Sequence, residues 1–300
     1  MAGAASWRLR DRELRFDRPI VVGILNVTPD SFSDGGRFMS VDDAAAHAAR
    51  LLAEGADAID VGGESTRPQG AVTVDAGEEV RRVVPVVSRL RAEHPEAVIS
   101  VDTTKHEVAA AVLDAGADAV NDVSGFRLDR GMASMCAAAR CGVVLMHSRG
   151  GVSEMGTFAH ASYGDDAVAE VFGELRASVR AALDAGVAAE RIVVDPGVGF
   201  AKRSEHSLAV LARLPELVEW GHPVMVGVSR KRFIGEITGV TNAAERVHGT
   251  VGANVAALIA GARLFRVHDV AANRQALDVA WAVMRAGATP TGATRAGGRA

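Results

Sequence analysis

One phrase recurs along this chain and limits what it can fold into: a helical stretch, a glycine, a small residue, then a short apolar run. It stands as LLAEGADAID (51–60), VLDAGADAV (112–120) and LIAGARLFRV (258–267). A glycine there ends a helix in the left-handed conformation and feeds the chain straight into a strand. Apolar β-type runs follow this rhythm: VVGILNV (21–27), AIDV (58–61), VISVD (98–102), AVNDV (119–123), VVLMH (143–147), IVVD (192–195), VMVGVS (224–229) and LFRVHD (264–269). Strands alternating with helices imply parallel pairing and right-handed crossovers. Near-continuous apolar runs imply strands buried on both faces. Eight such units predict an α/β fold, a closed (β/α)8 TIM barrel forming a single domain over residues 19–286. An open doubly wound sheet is the alternative, but the turn after the first run, NVTPDSFSDGG, lacks a dinucleotide-binding glycine pattern.

The ends lie outside the rhythm. WRLRDRELRF (7–16) alternates apolar and charged residues about a polar centre, so residues 1–18 are expected to form a hairpin over the barrel bottom. From Gly287 the tail GATPTGATRAGGRA is small and polar and is expected to be disordered. Among the helices, Ser40 or Asp42 is positioned to cap VDDAAAHAARLLAEG. In GEEVRRVVPVVSRL, Val80, Val83, Val84, Val87 and Leu90 hold helical spacing, and Pro85 suggests a kink.

Composition narrows the partners. The net charge is −4, from 33 Lys+Arg against 37 Asp+Glu, which argues against a nucleic-acid partner. No apolar run is long enough to span a bilayer, and the first residues lack the apolar middle of a signal peptide. Cys136 and Cys141 read as core thiols, so a reducing cytoplasm is the expected setting.

Function is sought at the C-terminal ends of the strands, where barrels of this kind build their sites. Those ends supply Asn26, Asp60, Asp102, Asn121, Asp122, His147, Asp195, Ser229, Lys231, Arg266 and His268. Each has an ordinary explanation: Asp102 as a helix cap, Asp195 as a turn initiator, His147 as a satisfied core histidine. So many polar ends converging on one mouth point instead to a ligand. Ionised carboxylates only accept hydrogen bonds, while asparagine both donates and accepts. Asp102, Asn121 and Asp195 together suit a heterocycle edge rich in N–H donors, and Lys231 adds a donor for a ring carbonyl or nitrogen. Arg266 and His268, two apart on one strand, share a face and suit an anion. Asn26 is a neutral oxygen ligand suited to a phosphate-bound Mg2+. Two polar loops, VTPDSFSDGGRF and GESTRPQGAVTVD, are long for such connections and read as lids.

At this level of detail the chain resembles the dihydropteroate synthase family of pterin-binding barrels. The motifs are GILNVTPDSFSDGG (23–36), DVGGESTRP (60–68), SVDT (100–103), NDVSG (121–125), LMH (145–147), DPGVGFAK (195–202), GVSRKRFIG (227–235) and RVHD (266–269). The resemblance implies a homodimeric, Mg2+-using transferase of folate biosynthesis, whose partners are small-molecule substrates. It would join 6-hydroxymethyl-7,8-dihydropterin diphosphate to para-aminobenzoate. By the same resemblance Asp102, Asn121, Asp195 and Lys231 would hold the pterin, with Met146 on its apolar wall. Asn26, Arg266 and His268 would hold the diphosphate and its metal. Phe32, Thr66, Arg67, Pro68, Phe200 and Ser229 would frame the aminobenzoate pocket, which sulfonamide drugs occupy in the family. The catalytic set would be Asp102, Asp195, Lys231, Arg266 and His268, acting through SN1-like loss of diphosphate. Two departures stand out. Gln69 follows Pro68 where the family usually has glycine, and HSRGGVSEMGTF (147–158) replaces the usual pattern after the histidine and is expected to be mobile. The alternatives are a non-catalytic pterin-binding paralogue and a methyltetrahydrofolate–corrinoid methyltransferase-like barrel. The first should have lost Asn26, Lys231 or Arg266; the second has no diphosphate to hold.

Overall fold

The repeated glycines do what the sequence requires. In the computed structural model, which describes residues 5–28, 40–64 and 73–288, Gly55, Gly116, Gly186 and Gly261 all have φ between +95° and +112°. Each closes its helix with the same pair of bonds. The glycine N–H reaches back three residues and the next N–H reaches back five, as in Gly55 to Leu52 and Ala56 to Leu51. That is a Schellman cap, and it aims the chain into the following strand. After Gly55 and Gly116 the aspartate two residues on then ties the incoming strand to its neighbour. Asp57 accepts from Val21 N at 2.8 Å and Asp118 from Ile99 N at 2.9 Å.

The described residues form ten strands. A hairpin, β1 (Ser6–Arg8) and β2 (Glu13–Arg15), precedes eight parallel strands: β3 (Ile20–Asn26), β4 (Ala58–Gly62), β5 (Val98–Asp102), β6 (Ala119–Asp122), β7 (Gly142–Met146), β8 (Ile192–Asp195), β9 (Met225–Val226) and β10 (Leu264–Val267). The ladder runs β8-β7-β6-β5-β4-β3-β10-β9, and a single bridge from Val194 to Val224 joins its two ends. The barrel is therefore closed, with one thin seam.

The helices surround it: α1 (Val41–Ala53), α2 (Ala76–Glu93), α3 (His106–Asp114), α4 (Met132–Ala139), α5 (Val152–Met155), α6 (Ala167–Asp184), α7 (Ser204–Ala212), α8 (Leu214–Val218), α9 (Arg232–Thr238), α10 (Val247–Ile259) and α11 (Val270–Ala288). Ser40 is the cap of α1, accepting from Asp43 N at 3.0 Å. Helix α2 continues through Pro85, which lies on its exposed side. The main core lies between strands and helices, built from outward strand residues such as Val21, Ile59, Val101 and Phe265.

Period-two alternation sends the other strand residues into the lumen. Its bottom layer is apolar: Val22, Ala58, Val98, Ala119, Val144, Val193 and Leu264 cluster with Trp7, Leu9 and Phe16 of the hairpin segment. The hairpin thus plugs the barrel bottom, as expected. Trp7 Nε1 donates to Arg191 O at 2.8 Å, and the Arg191 guanidinium donates to Leu9 O. Gly142 makes room for the plug, since a Cβ there would lie 2.6 Å from Leu9 Cδ2 and 2.8 Å from Trp7 Cζ2.

Two expected strands are shorter than their apolar runs. β9 stops at Val226 and β10 at Val267. Beyond them the Ser229 hydroxyl accepts from His268 N at 3.1 Å, so a side chain takes over where the backbone ladder ends. The segment 147–158, expected to be mobile, is anchored at its middle. Met155 of α5 is fully buried, and its carbonyl accepts from Ala201 N at 2.7 Å.

Candidate active site

The site follows from the next lumen layer up. Two residues past the apolar floor, the same strands present Asp60, Ser100, Asn121, Met146, Asp195 and Arg266, and beyond these stand Asn26, Asp102 and His268. The polarity switches within one strand period, so an apolar plug supports a charged cup.

Asp60 organises the cup. It is 1 % exposed, and its carboxylate accepts from Ser100 Oγ at 2.5 Å, Asn121 Nδ2 at 3.0 Å and Arg266 Nε at 2.6 Å. Arg266 Nη2 also donates to Asp102 at 3.1 Å. The cup therefore gathers Asp60, Asp102, Asn121 and Arg266, from four strands, into one connected network. Asp60 is one of the polar strand-end residues of the sequence, but the structure places it mid-strand, facing inward, in a role that its position in the sequence does not disclose. The signal was available: Ala58, Asp60 and Gly62 alternate inward along β4.

The Asn121 amide is fixed by this network. A carboxylate only accepts, so the NH2 group must face Asp60. Its Oδ1 is then buried with no hydrogen-bond partner. An orphaned buried acceptor costs on the order of 1–3 kcal/mol, and a ligand N–H would relieve it.

Arg266 departs from the simple picture of a free anion clamp beside His268. Its Nε and Nη2 are committed to the acidic floor, while Nη1 bonds to no described residue. His268 sits one step higher, its Nδ1 3.0 Å from Ser229 Oγ. Arg230, in the left-handed region at φ 59°, turns away to a two-point ion pair with Asp269 at 2.9 and 2.5 Å. That turn sets Lys231 facing the cup, with its Nζ 3.9 Å from the centre of the Phe200 ring. Phe200 in turn packs with Met146, Val123, Val152 and Met155 as one apolar wall.

The electrostatics reflect crowding of charge in a dry place. Burial raises Asp102 to about 8, with Arg266 opposing and Asp60 adding to the rise. Burial raises Asp195 to about 6, against the hydrogen bond from Gly197 N. Burial lowers Lys231 to about 8, helped by the Arg266 charge and opposed by Asp195 and Asp102. Such displacement toward neutral pH marks functional sites.

Asp122 and His147 prove structural. Asp122 is fully buried and accepts from Ser124 N, Ser124 Oγ and Phe126 N, holding a turn. His147 is a satisfied histidine, contacting Lys202 and Glu174. Asn26 ends β3 with its Oδ1 against Gly62, where a Cβ would stand 3.4 Å away. Among the described residues no group of three or more His, Cys, Asp or Glu is arranged to hold a metal ion. Phe32, Thr66, Arg67, Pro68 and Gln69 lie outside the described residues. The base of their second loop is tied, since Glu64 accepts from Val74 N at 2.7 Å and from Lys105 Nζ at 2.9 Å.

Comparison with known proteins places this geometry. The pterin binding enzyme family matches residues 22–268. The dihydropteroate synthase of Mycobacterium leprae (strain TN) is 47 % identical over 272 residues, covering 89 % of this chain and 94 % of that protein. The Xanthomonas albilineans dihydropteroate synthase solved with 4-aminobenzoic acid has a TM-score of 0.86 and 46 % identity, covering 96 % of this chain and 100 % of that one. Its complex with 7,8-dihydropteroate gives 0.83 and 44 %, covering 95 % and 100 %. The Yersinia pestis enzyme, solved with a sulfonamide drug complex, gives 0.86 and 39 %, covering 93 % and 99 %.

Proposed function

This chain belongs to the pterin-binding enzyme family, among its dihydropteroate synthases, and from that premise we propose how its cup performs the condensation. The enzyme is a transferase of folate biosynthesis. It joins 6-hydroxymethyl-7,8-dihydropterin diphosphate to para-aminobenzoate, giving 7,8-dihydropteroate and diphosphate.

The observation that carries the residue assignment is the meeting of Asp102, Asn121, Asp195 and Lys231 around one cup, with Asn121 Oδ1 left unpaired. A pterin edge carries adjacent N–H donors and a ring carbonyl. The carboxylates and Asn121 Oδ1 accept from the donors, and the Lys231 ammonium donates back. Met146 covers the ring with apolar surface, and Phe200, packed against the same cluster, continues that wall toward the aminobenzoate pocket. Arg266 Nη1 and His268 face the diphosphate from the lip above.

The nucleophile, an aromatic amine, is neutral at pH 7, so no strong base has to activate it. The barrier lies in breaking the bond from the pterin methylene to diphosphate. Arg266 and His268 stabilise charge on the departing diphosphate. Asp102 and Asp195 favour the positive charge that the electron-rich ring takes up, which suits a dissociative, SN1-like substitution. Asn26 would hold an Mg2+ ion, which supplies charge neutralisation for the diphosphate. A lone amide oxygen, with no cluster of protein ligands among the described residues, fits an ion coordinated mainly by phosphate oxygens and water. Lys231 orients the pterin and forms no covalent bond.

Two features support the wider reading. Ile259 on α10 and Val279 and Val283 on α11 are 62–67 % exposed, which suits a homodimer through these helices. Both cysteines are buried and free, which suits a reducing cytoplasm, and no helix among the described residues is long and apolar enough to cross a membrane. The aminobenzoate pocket would also admit sulfonamides.

The test is a product assay on purified protein. Diphosphate release and dihydropteroate are expected only with both substrates and Mg2+ present. A protein that binds the pterin diphosphate yet makes no dihydropteroate would be the non-catalytic paralogue.

A further inference from the structure

The most thoroughly buried cation of the mouth has no part in this mechanism. Lys202, 2 % exposed, ends the loop after β8. That loop is wound tightly: Gly197, Gly199 and Ala201 all have positive φ, at 66°, 77° and 47°. For alanine such a conformation costs roughly 1–2 kcal/mol, so the loop needs bonds that compensate. Lys202 supplies them. Its Nζ lies 3.0 Å from Gly197 O, 3.1 Å from Phe200 O and 2.7 Å from His147 Nδ1.

An ammonium has three donors and no acceptor, and here it meets three acceptors. That fixes the rest of the chain of contacts. His147 Nδ1 accepts, so its Nε2 carries the proton and donates to Glu174 at 3.0 Å. Glu174 is held in turn by Arg149, which also grips Glu170 at 2.7 Å. Burial lowers Lys202 to about 7, and the Asp195 charge opposes that fall. Burial and the Lys202 charge together lower His147 to about 4, which keeps it neutral.

The loop so stapled presents Phe200 to the site. Its fit leaves no slack. A Cβ at Gly197 would stand 1.9 Å from His147 O, and one at Gly199 would stand 3.0 Å from Lys231 Cδ. The Phe200 ring then rests 3.9 Å from Lys231 Nζ.

We infer that Lys202 is a positioning residue for this reaction: it holds the 197–200 turn so that Phe200 walls the aminobenzoate pocket. This rests on the reading of the cup given above and adds a residue that touches neither substrate. A displacement of the ring by about 1 Å is enough to cost roughly 100-fold in rate.

The experiment is a double-mutant cycle on the full chain, with Lys202→Met, Phe200→Leu and their combination assayed for dihydropteroate synthesis. Lys202→Met is expected to raise KM for para-aminobenzoate more than it lowers kcat or alters KM for the pterin diphosphate. The double variant should lose little beyond the worse single variant, because Lys202 acts through Phe200. Losses that multiply, or that fall equally on both substrates, overturn the inference while the enzyme's function stands. A wild-type protein that makes no dihydropteroate removes the reading beneath it as well. If Lys202→Met does not fold, Lys202→Arg, which keeps the charge but not the three-point geometry, is expected to show the same split between substrates.

Discussion

Three carboxylates and two cations share the cup, so the charges would not balance with every group ionised. Asp60 and Arg266 form the tightest pair at 2.6 Å, and Asp102 is left with a share of Arg266 and a dry environment that raises it to about 8. Asp195 stands at about 6. Both values lie above the unfolded carboxyl value of about 3.9. These groups therefore favour the folded state at low pH, and that contribution is lost as pH rises through about 6 and then 8. A ligand donating N–H groups favours the ionised carboxylates and reverses the loss. Binding of 6-hydroxymethylpterin at pH 7 is expected to release protons. Calorimetry in buffers of small and large ionisation enthalpy measures this directly, and net uptake would refute it. Affinity should climb through pH 6 and on toward 8 as Asp195 and then Asp102 ionise more readily, and fall once Lys231, at about 8, gives up its proton. At this scale the sequence was only partly legible. Arg266 and Asp102 were visible as residues near strand ends, but their direct bond was not. Asp60 escaped because its role depends on which way a mid-strand side chain faces.

Among the elements, the hairpin is the clearest case of stability separated from chemistry. Trp7 is 2 % exposed and sits among the lowest lumen residues, with the charged layer on the far side of them. Truncation to alanine is expected to cost about 4 kcal/mol by the usual measure for a buried aromatic. Chemical denaturation should show that loss, while the folded Trp7→Ala protein keeps its kcat. A fall in kcat to match would mean that the plug shapes the cup. The barrel itself was legible because one local device repeats. Four glycines adopt the same left-handed cap, and the phrase that carries it is visible in the chain. The ends of β9 and β10 were not legible, because Val228 continues the run past β9 and His268 N past β10 donates to the Ser229 hydroxyl in place of a backbone partner. Apolar character marks burial there, not ladder bonding.

For the molecule as a whole, α10 and α11 carry apolar side chains that the described residues leave exposed. Val279 and Val283 stand one turn apart on the same face, 66 % and 67 % exposed. If that face joins two copies, Val279→Glu with Val283→Glu should yield a monomer by light scattering, with little change in the fold by circular dichroism. A wild-type monomer at micromolar concentration would rule the assembly out. Nothing in the sequence revealed this face, since alternate helix positions read alike until the barrel shows which of them point outward.

The barrel's own closure also has a consequence. One bridge, Val194 to Val224, joins strands whose far ends lead to Asp195 on one side and Lys231 on the other. On the proposed reading, a pterin gripped by both would span that gap as a missing rung. The substrate would thereby finish the wall that encloses it, closing a hoop otherwise fastened by one stitch.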